Sequence, residues 1–153
     1  MYKYCKMTFK LCDDCQTFFK VLPLDWQEII LPFWDHLKAT TKGYVLVDNN
    51  QIIAGGLVFT ECPPDMMYAK DEADTWMHNG YLYVGFIYVI EERRHQNLGS
   101  VWLQNLKKTH PKQNYWLTIE DLKLDVFYTK NGFKRIKSLH NQGVEEVLYI
   151  FNA

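Results

Sequence analysis

Apolar residues fall along this chain in two rhythms, one continuous or of period two and one close to 3.6, and their alternation predicts the elements. A dense run is Tyr-Leu-Tyr-Val-Gly-Phe-Ile-Tyr-Val-Ile at residues 81–90. It is aromatic and β-branched without alternation, which predicts a strand buried on both faces. Downstream, Leu98, Val101, Trp102 and Leu106 recur at i, i+3, i+4 and i+8, one face of a helix. Trp26, Ile29, Ile30, Phe33, Trp34 and Leu37 form a second helical stripe, expected to be mainly core. Asp25 and Glu28 stand before it at capping-box spacing, and Pro32 is expected to kink the helix near Glu28. Asp13 and Asp14 can cap a shorter helix running to Val21, with Pro23 separating the two.

Residues 2–11 alternate aromatic and basic side chains and predict a first strand. Residues 44–47 and 52–59 flank Asp48-Asn49-Asn50-Gln51, a hairpin signature. Within the second strand, Gly55 and Gly56 either leave room beside it or allow a bulge. Residues 61–80 break the pattern with Pro63-Pro64, acids including Asp65, Asp71, Glu72 and Asp74, and large side chains such as Met66, Met67, Tyr68, Trp76 and Met77. A long loop is expected there, and long loops on compact domains often carry function. Residues 115–119 predict a further strand. Residues 122–130 predict a short helix, with Glu120 or Asp121 near its start and Gly132 past its end. Residues 133–140 and 144–151, split by Asn141-Gln142-Gly143, predict a closing antiparallel hairpin whose last strand is an open edge. The order is strand, two helices, three strands, helix, strand, helix, two strands: a mixed α/β sheet with no internal repeat or linker.

At 153 residues the chain is expected to form a single domain, residues 1–153. Its 48% apolar and 16% aromatic content excludes a disordered chain. A formal charge of −1 gives no global drive toward nucleic acid or an anionic membrane. Arg93, Arg94, Lys107 and Lys108 are too few, and too well balanced by acids, for a nucleic-acid surface. No apolar run approaches a membrane span, and the first residues lack a signal-peptide core, so the expectation is a soluble cytoplasmic protein. Cys12-Asp13-Asp14-Cys15 has the spacing of half a zinc site or a redox pair. With Cys5 and Cys62 elsewhere and His36, His78, His95, His110 and His140 scattered, no second ligand pair follows. Reduced thiols and no metal are expected.

Chemistry concentrates at the junction of the residue 81–90 run and the helix after it. Glu91-Glu92-Arg93-Arg94-His95-Gln96-Asn97-Leu98-Gly99-Ser100 makes a basic turn leading into a helix N-terminus. Unpaired N–H groups and the helix dipole favour an anion there. Gly99 permits close approach of a phosphate, and Asn97 tolerates left-handed backbone.

Arg94-x-x-Asn97-x-Gly99-Ser100 resembles the Arg/Gln-x-x-Gly-x-Gly/Ala signature of the GCN5-related N-acetyltransferases, the GNAT family. A second family feature follows in Leu124-Asp125-Val126-Phe127-Tyr128-Thr129-Lys130-Asn131-Gly132-Phe133, similar to its helix with an aromatic-Tyr pair and a later Gly-Phe. Asn97 replaces the usual Gly, Asp121 a common Asn, and Leu124 a common small Ala.

The resemblance implies a mostly antiparallel sheet of about seven strands, helices on both faces, and one parallel pair splayed to admit the pantetheine arm of acetyl-coenzyme A. It implies that backbone of Phe86, Ile87, Tyr88 and Val89 pairs with the pantetheine, the last three residues also offering an oxyanion donor. Gly85 would either help this strand diverge or relieve crowding among its aromatic neighbours. The diphosphate would rest on Arg94, His95, Gln96, Asn97, Leu98, Gly99 and Ser100, with Lys130 near the adenosine phosphate. Tyr128 would be the general acid toward the coenzyme sulfur. Glu91, Glu120, Asp121 and His140 are open candidates for the base. The implied activity is acetyl transfer to a primary amine of a small molecule in a ternary complex, a peptide amine being the other acceptor class. The acids Asp71, Glu72 and Asp74 would favour a cationic acceptor. A coenzyme A-binding module without turnover is the rival reading, and either a monomer or a homodimer paired through the terminal hairpin fits.

Overall fold

The computed structural model describes residues 7–153. Seven strands form one sheet in the order β1-β2-β3-β4-β5-β7-β6. They are β1 (Thr8–Leu11), β2 (Thr41–Asp48), β3 (Gln51–Phe59), β4 (Tyr81–Val89), β5 (Asn114–Ile119), β6 (Lys134–Asn141) and β7 (Val144–Phe151). Five helices connect them: α1 (Cys15–Phe19), α2 (Leu24–Leu37), α3 (Lys70–His78), α4 (Leu98–Thr109) and α5 (Asp125–Lys130). Every neighbouring pair is antiparallel except β4 and β5. The expectation of a strand over residues 2–6 lies outside the described residues.

The period-two positions sort the core into two layers. Tyr44, Leu46, Tyr115, Leu117, Val147 and Tyr149 pack with Trp102, Leu103 and Leu106 of α4 and with Tyr128 of α5. Their neighbours Val45, Trp116, Leu148 and Ile150 face Phe18 and Phe19 of α1, Ile30 and Trp34 of α2, and Ala73 of α3. Gly55 and Gly56 mark both contacts. A Cβ on Gly55 would fall 2.5 Å from the Phe18 ring, and one on Gly56 2.6 Å from the Trp102 ring. Close aromatic approach on opposite faces is therefore what these glycines permit.

The β2–β3 hairpin turns on Asn49 and Asn50, both with positive φ, the backbone required by a two-residue turn that matches strand twist. Asp14 caps α1 by accepting from the Gln16 N–H at 3.0 Å. Four expectations change. Pro23 is the N-cap of α2 and Asp25 lies within its first turn, so Asp25 and Glu28 make no capping box; Pro32 stands inside the helix, which continues to Leu37. Ile29 and Phe33 turn outward from that helix while Ile30, Trp34 and Leu37 are buried. Residues 61–80 are mostly helical: a 3-10 segment, Pro64–Ala69, precedes α3, because Met66 and Ala73 bury completely and anchor both pieces. Lastly, β7 pairs with β5 and β6, so the outer edge of the terminal hairpin is β6 and not the last strand.

Candidate active site

β4 and β5 pair only at Tyr81–Asn114, Leu82–Tyr115 and Tyr83–Trp116. Beyond these pairs the strands diverge, and the side of β4 turned away from β3 borders a cleft of about 720 Å³. Val84, Gly85, Phe86 and Ile87 line one wall; Thr118, Ile119, Glu120 and Asp121 line the other. Trp26 and Ile29 of α2, Asp65 and Tyr68 of the 3-10 segment, and Glu146 of β7 close the space, with Tyr128 also facing it. The volume lies in the range of small-ligand pockets.

The divergence has a local cause. Gly55 stands opposite Tyr88 and Leu57 opposite Gly85, so Phe86 and Ile87 together face Gly56 alone. This is a β-bulge, and Phe86 takes φ 56° to make it. Left-handed backbone at a non-glycine residue costs about 1–2 kcal/mol; such strain clusters at functional sites. Trp26 braces the Phe86 ring edge-on at 6.0 Å. Gly85 is not the left-handed residue: a Cβ there would come 2.7 Å from the Tyr83 ring, so it relieves aromatic crowding.

The turn after β4 is held from below. Asp48, 3% exposed, accepts from Arg93 Nη1 at 2.9 Å, and Arg93 Nε donates to Gln96 Oε1 at 3.0 Å. Arg94 is exposed; its Nε donates to the Val89 carbonyl at 3.1 Å and its guanidinium sits 5.3 Å over the Tyr88 ring. His95 and Asn97 both have positive φ, and Asn97 is the N-cap of α4. The first internal bond of α4 runs from Val101 N–H to the Asn97 carbonyl at 3.1 Å, leaving the preceding N–H groups outside the helical ladder. Leu98 and Ser100 turn their side chains inward, Ser100 Oγ accepting from Asn131 Nδ2 at 3.0 Å. Gly99 packs under Phe127, whose ring would lie 2.9 Å from an added Cβ.

Tyr128 on α5 is 8% exposed and boxed by Phe127, Phe133 and Tyr149, with ring centroids 4.9, 5.7 and 6.2 Å away. Burial pushes its phenol pKa up, so it holds its proton throughout the neutral range. Lys130 is exposed at the end of the same helix, 5.8 Å from the Phe127 ring.

The cleft thus brings together Ile87, Tyr128, Glu120 and Asp121 of the sequence-derived candidates. Tyr88, Val89 and residues 94–100 follow the cleft wall along the chain, at the end of β4 and in its turn. Glu91 and His140 do not line the cleft. Nor do Asp71, Glu72 and Asp74: Glu72 pairs with Lys137 at 2.8 Å, and Asp74 with Lys70 at 2.6 Å. The acids that line the cleft from unforeseen positions are Asp25, Asp65 and Glu146. Among the described residues, no group of three or more His, Cys, Asp or Glu is arranged to hold a metal ion. No helix of the described residues is long and apolar enough to cross a membrane.

The sheet thus opens beyond one short parallel junction, with a left-handed turn and a helix N-terminus beside the opening. The family model for the acetyltransferase (GNAT) family matches residues 9–133. The chain belongs to the GNAT acetyltransferase family. Among solved structures, it is similar to a Bacillus subtilis acetyltransferase in complex with CoA (10% identity, 97% of this chain and 99% of that one, TM-score 0.67). It is similar also to a GNAT family acetyltransferase from Elizabethkingia anophelis with acetyl-CoA bound (13% identity, 96% and 98%, TM-score 0.61). A longer neighbour, a candidate streptothricin acetyltransferase from Bacillus anthracis in complex with acetyl coenzyme A, is covered over 63% of its length by 74% of this chain (17% identity, TM-score 0.56). No curated protein matches the sequence at a significant level.

Proposed function

We propose that this protein is an acetyl-CoA-dependent N-acetyltransferase that acetylates a primary amine of a small molecule by direct transfer in a ternary complex. The observation that carries the reading is the cleft where β4 leaves β5, with Tyr128 on its wall and the α4 turn beyond it. The residues fit the donor. The freed side of β4 offers backbone to an amide-bearing arm, an edge mode of recognition that needs no particular side chain. The N–H groups opening α4, with Arg94, suit a diphosphate, and Lys130 supplies an exposed cation on the neighbouring helix. When bound, acetyl-CoA supplies an acetyl group activated as a thioester.

The chain's own residues then hold and move protons. A backbone N–H near Ile87, Tyr88 or Val89, beside the bulge, would stabilise negative charge on a carbonyl oxygen. The Tyr128 phenol is the proton donor for the departing sulfur. Five carboxyl groups line the cleft, Asp25, Asp65, Glu120, Asp121 and Glu146, and favour a cationic acceptor. Trp26, Ile29, Tyr68 and Phe86 around them suit an amine on an apolar body.

The test is acetyl-CoA with a panel of primary amines, reading free thiol and acetylated product. Transfer to cationic small amines is the expected result. Donor binding without product from any amine, peptides included, would leave a coenzyme A-binding module in place of an enzyme.

A further inference from the structure

Asp65 belongs to no sequence motif, yet it has the most unusual surroundings of any carboxyl group facing the cleft. Its segment is fixed by Met66, which is fully buried and whose N–H donates to the Pro63 carbonyl at 3.0 Å. One carboxyl oxygen, Oδ2, accepts from the Tyr83 hydroxyl at 3.1 Å. The other, Oδ1, is shielded from solvent and has no hydrogen-bond partner among the described residues. A buried carboxylate oxygen without a donor is costly and rare. Here it belongs to a residue lining the cleft wall, so a donor arriving through the cleft is what it lacks.

We infer that Asp65 is the proton acceptor for the incoming amine, an inference that rests on the acetyltransferase reading. An ammonium group carries the donors that Oδ1 is missing. Asp65 takes one proton from the ammonium, and the freed lone pair forms the C–N bond to the acetyl carbon. The C–S bond breaks with its electron pair going to sulfur, which gains a proton from Tyr128. The second amine proton leaves as the amide forms and restores Tyr128. Asp65 returns its own to solvent, so each turnover releases one proton.

The groups facing Asp65 tune it for this exchange. Tyr68 from its own segment, Tyr83 from β4, Glu120 beyond β5 and Glu146 from β7 surround it, and Asp25 and Asp121 line the same cleft. Burial, reinforced by Glu146 and Glu120, pushes the Asp65 carboxyl up to about 6, while the Tyr83 hydroxyl pulls it down. A base with a pKa near the working pH accepts and releases a proton readily. Glu146 is also raised, chiefly by burial, but the hydroxyls of Tyr68 and Thr118 already face it.

The experiment measures kcat against pH for wild type, Asp65→Asn and Tyr83→Phe with the best amine of the panel, and donor affinity by calorimetry. Expected are an acidic limb near pH 6 in wild type and a fall of roughly 10²-fold or more in Asp65→Asn with coenzyme A affinity kept. Tyr83→Phe, which keeps the carboxylate but removes its donor, is expected to move that limb upward; this arm does not depend on the Asn variant folding. Active wild type with an unchanged profile and rate in Asp65→Asn, or an unmoved limb in Tyr83→Phe, would overturn the role of Asp65 alone. Wild type that acetylates no amine would overturn the underlying reading and this role with it.

Discussion

Tyr83 donates its hydroxyl to Asp65 Oδ2 at 3.1 Å, joining the last β4 residue paired with β5 to the 3-10 segment across the cleft. That bond satisfies one oxygen of the carboxyl group; the other is shielded from solvent and has no donor among the described residues. The arrangement has a thermodynamic signature.

Burial raises the Asp65 carboxyl from 3.8 to about 6, so the native state binds its proton more tightly than the unfolded chain does. Its favourable contribution is fully present below about pH 4 and is lost as pH rises through about 6. Above that range the ionised carboxylate costs roughly 1–3 kcal/mol. Asp65→Asn is therefore expected to raise the urea midpoint at about pH 8 and leave it nearly unchanged at about pH 4. An equal shift at both would contradict the assignment.

Removing the Tyr128 hydroxyl tests the other wall. Tyr128→Phe keeps the ring among Phe127, Phe133 and Tyr149, so folding is expected to be normal. Loss of a positioned acid reduces turnover by roughly 10²-fold or more. Single-turnover product formation checks the rate, and unchanged calorimetric affinity for coenzyme A checks that chemistry alone was lost.

Arg93 and Arg94 are adjacent and are expected to separate cleanly. Arg93→Ala strips the partner from the buried Asp48, whose Oδ1 already lacks one, and is expected to cost about 3 kcal/mol in urea unfolding. Circular dichroism on the same samples would show whether the turn survives at low denaturant.

Arg94→Ala is expected to leave stability nearly untouched, because the side chain is exposed. It is expected to weaken coenzyme A binding by about tenfold to a hundredfold, with the difference shrinking as salt rises. Identical affinities for wild type and variant would remove Arg94 from the diphosphate site.

Much of this architecture was legible in local residue patterns. The Asn49-Asn50 turn, the α4 stripe and the left-handed Asn97 are each set by neighbours in the chain, and each is found where its pattern puts it. The helical nature of residues 64–78 was masked because only Met66 and Ala73 bury fully, too sparse a stripe to show a period. Of the two readings of Gly85, relief of aromatic crowding holds, since Tyr83 needs the space there; the left-handed residue is Phe86, whose ring Trp26 from a distant helix braces. Glu146 did leave a trace: it shares the period-two register of Leu148 and Ile150, an acid on a core-facing row. Asp65 left none, since its importance comes from Tyr83, Glu120 and Glu146, all remote in sequence.

Three residue pairs hold β4 to β5, so the seven strands behave as two plates riveted at one end. An extended guest with regularly spaced amides would supply the missing rungs. Occupancy and rigidity are then one property, and melting temperature should climb with donor concentration as mass action dictates. Donor-free protein is expected to be the softer form, with amides along residues 84–89 and 117–119 recording the difference in deuterium uptake.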